Sequence, residues 1–163
     1  IWNDIKKELK TIDLDNYFYY FHGDLCFSNI LFGKNPLSDD VILKFVDPRG
    51  KYGLKKFYGD YYYDLAKLSH SVNGGYEYLI YDEFNLDIKK NKANLKYLNK
   101  NKDKVNNLFI QKLNNYKYDL EIINLIEGLI YIGMCARHYD SLKRQKAMYL
   151  IGIKLLNSFY EKI

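Results

Sequence analysis

Tyr17-Phe18-Tyr19-Tyr20-Phe21-His22-Gly23-Asp24-Leu25-Cys26-Phe27-Ser28-Asn29-Ile30-Leu31-Phe32 is the stretch on which the reading of the fold turns. Residues 17–21 carry aromatic side chains and no charge, the pattern of a short buried strand. Gly23 marks a tight loop, and Asn29-Ile30-Leu31-Phe32 restarts an apolar run. Gly33 to Asp40, with Pro36, Ser38 and two Asp, reads as a turn. Residues 41–46 then return as a strand ending at Asp47, so 29–32 and 41–46 are expected to form a β-hairpin with an eight-residue connection.

Beyond Asp47-Pro48-Arg49-Gly50 the chain loops through Gly53 and Gly59. Asp60 reads as the N-cap of a helix over 61–72, with Tyr61, Asp64, Leu65, Leu68 and Val72 at helical spacing and Gly74-Gly75 ending it. A helix is expected over 76–84, and 87–104 has no clear period. Further helices are expected over 105–115, 119–136 and 141–161. The wide apolar face from Ile122 to Gly133 makes the helix over 119–136 central. Residues 1–11 read as the end of an amphipathic helix. With neither repeat nor linker, 1–163 is expected to be one domain, α+β and mainly α, with a small β-hairpin followed by a helical body.

The bulk composition allows this. At 163 residues the chain can bury a sizeable core, and its 48% hydrophobic content is ordinary for a globular protein. The 18 tyrosines spread along the whole chain and read as compositional bias. The net charge of +5 suits a phosphorylated ligand without requiring one. Much of it lies in Lys89, Lys90, Lys92, Lys96, Lys100, Lys102 and Lys104. That stretch reads as a solvated helix or loop face before a nucleic-acid patch, because stacking aromatics are nearly absent. Cys26 and Cys135 make neither a disulfide framework nor a metal site, which fits a reducing cytoplasm. No signal-peptide pattern and no apolar run of membrane-spanning length occurs. The chain is expected to begin inside a longer protein, since its first residue is Ile.

The chemistry-bearing residues cluster on the opening stretch. Asp24 and Asn29 stand five apart, and Asp47 closes a neighbouring strand. Such a set suits magnesium-dependent phosphoryl transfer: one carboxylate to orient an attacking hydroxyl, and two oxygen donors for metal. Asn29 as a donor adds no negative charge beside a triphosphate. Each residue alone has a plainer role, as a turn cap, a strand start or a turn before Pro, and the three together carry the reading. His22 is expected to hold the loop by packing and a hydrogen bond instead of moving protons. Arg49 reads equally as a phosphate contact and as a surface loop arginine. Asp64, on the buried side of its helix, needs donors, and the loop amides near His22 are the obvious ones.

These blocks, His22-Gly23-Asp24 through Asn29, the strand ending in Asp47, and Gly59-Asp60-Tyr61-Tyr62-Tyr63-Asp64-Leu65-Ala66-Lys67-Leu68, resemble the aminoglycoside phosphotransferase and choline kinase-like family. That family shares the protein kinase fold. Arg144 to Leu150, with Gly152 and Leu155-Leu156-Asn157, is similar to the closing helix of bacterial members tied to surface or capsule polysaccharide genes. The resemblance implies Asp24 as catalytic base, Asn29 and Asp47 as Mg2+ ligands, and Asp64, with His22, as support of the catalytic loop. It further implies a cytoplasmic, ATP- and Mg2+-dependent kinase, transferring a phosphoryl group to a hydroxyl of a sugar, amino alcohol or similar acceptor.

Too few residues precede Tyr17 for the small lobe that supplies a strand Lys and helix Glu in such enzymes, and no Gly-rich phosphate loop appears. The chain is therefore expected to be the large C-terminal lobe alone, inactive by itself, with the nucleotide lobe elsewhere in the same longer chain. The acceptor is expected against the helices after residue 72, and the abundance of Lys favours a neutral or anionic one. The alternative is a catalytically inactive, pseudokinase-like binding or regulatory module. A third reading is a cation-rich interaction protein using the lysines of 89–104, although neither a membrane nor nucleic acid is the expected partner.

Overall fold

Asp60 accepts a hydrogen bond from the Tyr62 amide (2.8 Å) and so starts the helix on which the rest of the site is hung. A capping carboxylate of this kind stabilises a helix by about 1 kcal/mol. The computed structural model describes residue 7 and residues 18–51, 58–90, 92–99 and 101–161. The helix expected over 1–11 lies, apart from Lys7, outside them. The chain is α+β, with helices predominating over three two-stranded antiparallel sheets.

The first sheet pairs β1 (Phe18–Tyr20) with β4 (Tyr58–Asp60), and the second pairs β2 (Ile30–Lys34) with β3 (Val41–Phe45). The second is the expected hairpin, with Ile30 opposite Phe45 and Lys34 opposite Val41. A 3-10 turn, Phe27–Asn29, leads into β2. Helix α1 (Tyr61–Val72) follows β4 directly, then α2 (Tyr76–Ile80).

Between α2 and the later helices the sequence reading needs correction. Residues 84–97 form a third hairpin, β5 (Phe84–Lys89) and β6 (Lys92–Tyr97), where a helix to 84 and an unassigned stretch from 87 were expected. Phe84, Leu86 and Ile88 alternate with Asn85, Asp87 and Lys89, a period of two that the dense Lys and Asn obscure. Phe84 is buried, and Leu86, Leu95 and Tyr97 pack on the same core. Of the described lysines in this stretch, Lys89, Lys92 and Lys96 therefore lie on hairpin strands and Lys90 in the turn, while Lys102 and Lys104 lie on the helix that follows. Lys102 departs further: it is buried at the start of that helix and donates through Nζ to the Asn73 carbonyl (2.5 Å).

Helices α3 (Lys102–Asn115), α4 (Leu120–Cys135) and α5 (Leu142–Tyr160) complete the chain. Asp119 caps α4 through the Glu121 amide (2.8 Å), and Ser141 caps α5 through the Arg144 amide (3.3 Å). As its wide apolar face predicts, α4 is central, packing on α1 through Ile123 and on α5 through Leu125. The α4–α5 crossing is close because both helices present glycine. A Cβ on Gly152 would lie 2.9 Å from Ile132 Cδ1 and 3.1 Å from the Gly128 carbonyl. Burial of Leu79, Phe84 and Met148 contributes about 1.5–3 kcal/mol each to the main core.

A polar seam crosses this interior. Ser69 Oγ donates to Glu127 Oε2 (2.5 Å), and Asn73 Nδ2 reaches the same oxygen at 3.4 Å. Tyr131 Oη donates to the His70 carbonyl (3.0 Å), and Tyr97 Oη to the Gly74 carbonyl. Burial raises the Glu127 carboxyl to about 7, against the weaker opposing effects of Ser69, Asn73 and Lys102. The His70 ring lies between Tyr76 and Tyr131 with neither nitrogen bonded, and burial holds it well below the ordinary imidazole range. Among the described residues no helix is long and apolar enough to cross a membrane, and Cys26 and Cys135 are both free.

Candidate functional site

A single stripe of α1 holds the loop between β1 and β2. Asp64, Lys67 and Ser71 fall at helical spacing on one face, and each engages a successive part of the loop. The His22 and Gly23 amides donate to Asp64 Oδ2 and Oδ1 at 2.6 and 2.8 Å. Lys67 Nζ pairs with Asp24 Oδ1 at 2.8 Å. The Phe27 amide donates to Ser71 Oγ (3.1 Å), whose hydroxyl donates onward to Glu77 Oε1 (2.8 Å). The loop amides near His22 are the donors expected for Asp64.

Gly23 lets the loop approach this closely. It takes φ 77°, and a Cβ there would lie 2.9 Å from Arg49 Cβ. His22 contributes a second tether. Its Nε2 lies 2.9 Å from the Val46 carbonyl, which can only accept, and the Asp24 amide donates to Nδ1 (3.3 Å). These contacts hold the ring in the Nε2–H tautomer as part of the scaffold.

Asp24 is therefore oriented from two sides. Lys67 holds Oδ1, while Asn29 Nδ2 donates to the Asp24 carbonyl (2.9 Å) and to Oδ2 (3.3 Å). With its nitrogen so used, Asn29 presents Oδ1 with no partner among the described residues. Asp47 follows β3 beside it, because the Val46 amide donates to the Asn29 carbonyl (3.0 Å). Asp47 is exposed and takes φ 56°, a left-handed conformation that Asp tolerates better than most residues. Among the described residues no hydrogen bond or ion pair engages its carboxylate.

Two free oxygen donors on adjoining backbone suit Mg2+, which takes one or two protein ligands and completes its shell with phosphate and water. No group of three or more His, Cys, Asp or Glu able to hold a metal occurs among the described residues. A closed, all-protein cage is thus not what this donor set offers.

Beside Asp24, α1 and α4 enclose a cleft of about 400 Å³, within the usual range for small-molecule pockets. Ile130 and Met134 give it an apolar wall. Lys67, Arg49, Arg137 and Asp60 bring the charges. Arg49 Nη1 donates to Tyr63 Oη (3.1 Å). Desolvation raises the Asp60 carboxyl, partly offset by the Tyr62 amide.

Lys67 is the residue that sequence reading missed. It is 5% exposed, and a buried ammonium requires a partner. Its signal was present: a charge at 67 sits three residues from Asp64 on the same helix face, between apolar neighbours.

The stripe itself is testable. Asp64→Ala leaves two part-buried amides without an acceptor and is expected to cost about 2 kcal/mol. Amide exchange at His22 and Gly23 should accelerate in step with that loss. Unchanged protection at both positions would show that Asp64 does not hold the loop.

Comparison of the chain with family models, curated proteins and solved structures gives no match.

Proposed function

We propose that the chain is the acceptor-side lobe of an ATP- and Mg2+-dependent small-molecule kinase, similar to the aminoglycoside phosphotransferase and choline kinase-like family. The observation that carries the reading is the arrangement of Asp24: its carboxylate is held by Lys67 and Asn29, next to two unengaged oxygen donors. In this reading the acceptor hydroxyl hydrogen-bonds to Asp24. Its oxygen forms a bond to the γ-phosphorus as the bridging P–O bond breaks, and the electron pair leaves on ADP. The acceptor proton passes to Asp24 and then to solvent. Lys67 keeps the carboxylate aimed and balances its charge. When bound at Asn29 and Asp47, Mg2+ would neutralise charge on the nucleotide phosphates.

A second feature supports a two-lobed enzyme. The β2–β3 hairpin leaves Phe32, Val41, Leu43 and Phe45 more than half exposed. An apolar patch of this kind normally has a covering partner, and a nucleotide lobe in the same gene product would lie against it. The pseudokinase alternative explains the loop scaffold but gives no role to the unengaged oxygens of Asn29 and Asp47.

ATP affinity of the full gene product with and without Mg2+ tests the proposal. Wild type is expected to bind at least roughly tenfold tighter with Mg2+, and Asp47→Ala to abolish that difference. Equal affinity with and without the metal in wild type would overturn the kinase reading.

A further inference from the structure

Resting on that reading, we infer that the cleft between α1 and α4 is the acceptor pocket and that it takes an anionic acceptor: a hydroxyl compound also bearing a phosphate or carboxylate, seated by Arg137 and Arg49.

Position comes first. Lys67 lines the cleft and its ammonium is 2.8 Å from Asp24 Oδ1, so the cavity opens within one side chain of the carboxylate that would receive the acceptor's proton. Its charge follows. Lys67 is balanced by Asp24, and among the described lining residues this leaves two guanidinium groups, Arg49 and Arg137, against one carboxylate, Asp60. One Asp60 oxygen caps α1, and the other is buried and without a hydrogen-bond partner. A polycation would meet an excess of positive charge here, and an anion would be drawn in.

The choice of residue narrows the ligand. Of 25 basic residues in this lysine-biased chain, three are arginine: Arg49, Arg137 and Arg144. Arg144 is committed within the protein, to Asp82 and Asp140 at 2.9 Å each. The other two both line the cleft, and among the described residues no carboxylate pairs with either. Guanidinium is the group that binds phosphate or carboxylate in a two-pronged fork, which an ammonium cannot reproduce. Two such forks beside an apolar wall fit a small carbon skeleton with one anionic end.

Residues 1–163 hold three arginines, and the side-chain Nε–H signal of each is assigned by its loss in the matching Arg→Lys variant, so NMR of the 15N-labelled full gene product is a direct test. Glycerol 3-phosphate is expected to move the Arg49 and Arg137 signals saturably, leaving Arg144 as an internal reference. Glycerol should move none. Arg137→Ala should weaken glycerol 3-phosphate binding roughly tenfold, and Arg137→Lys should weaken it too, because the fork is lost while the charge remains. Binding should persist with MgATP present. Displacement by MgATP would assign the anion seat to the nucleotide and overturn the proposal. So would equal response to glycerol, absence of a saturable shift, or indifference to Arg137→Ala.

Failure of the two readings is distinguishable. Loss of Mg2+-dependent ATP binding with the arginine shifts intact would sink the kinase reading and leave the anion seat standing. Transfer to neutral acceptors, unaffected by Arg137→Ala, would sink the anionic acceptor alone.

Discussion

Asp24→Asn is expected to lower phosphoryl transfer by the full gene product about 10³-fold, within the range for loss of a positioned proton acceptor. The substitution keeps an oxygen toward Lys67, removes the charge and the basicity, and gives up the long 3.3 Å contact from Asn29 Nδ2, while the Asn29 bond to the residue-24 carbonyl remains. Asp24→Ala should lose as much activity, but it strands the Lys67 ammonium, which is 5% exposed. Breaking a buried ion pair by deleting one partner costs about 3–5 kcal/mol, discounted here because the Asp24 side chain is 34% exposed. Asn is therefore the informative variant. Circular dichroism and thermal melting close to wild type, with turnover near zero, would place the loss in chemistry. Turnover near wild type in Asp24→Asn would end the assignment of Asp24 as catalytic base.

Glu127 is expected to make stability fall as pH rises through the weakly acidic range. Its ordinary value is near 4.5, and burial, which penalises the charged form, pushes it up to about 7 in the folded protein. Between those values the native state holds a proton that the unfolded state has released, so unfolding becomes easier with each increment of pH. The stabilisation is complete below about pH 4.5 and lost once pH passes about 7. A shift of that size corresponds to about 3 kcal/mol. Glu127→Gln keeps an oxygen for Ser69 and cannot ionise, so its urea stability should lack this slope.

His70 acts in the opposite sense. Burial depresses its folded value, so its contribution is present above the unfolded imidazole value and lost as pH falls. The difference between wild type and Glu127→Gln isolates the carboxyl. Parallel stability profiles for the two proteins between about pH 5 and about pH 8 would show that Glu127 does not carry a buried proton.

Much of the local structure was legible because short-range physics decides it. Asp60 before an apolar 3.6-residue period announced α1, and the turn residues from Gly33 to Asp40 announced the β2–β3 hairpin. The helix over 119–136 was legible as central from its wide apolar face. The β5–β6 hairpin was not, because its period of two is carried by few apolar residues among many Lys and Asn. Within the site, the spacing of Asp24 and Asn29 was legible, and so was the need of Asp64 for loop amides. Lys67 was passed over, since a lysine on a helix is usually solvated and only packing shows otherwise.

By itself the sequence determined where helices start, where the chain turns and which polar residues flank the loop from His22 to Asn29. Each of those depends on neighbours within a few residues. Only the tertiary structure decided that Lys67 meets Asp24, that Glu127 is sealed among Ser69 and Asn73, and that Arg49 and Arg137 share one cleft while Arg144 is paired elsewhere. Those outcomes depend on desolvation and on distances between residues far apart in the chain, and both are set only when α1 packs against α4.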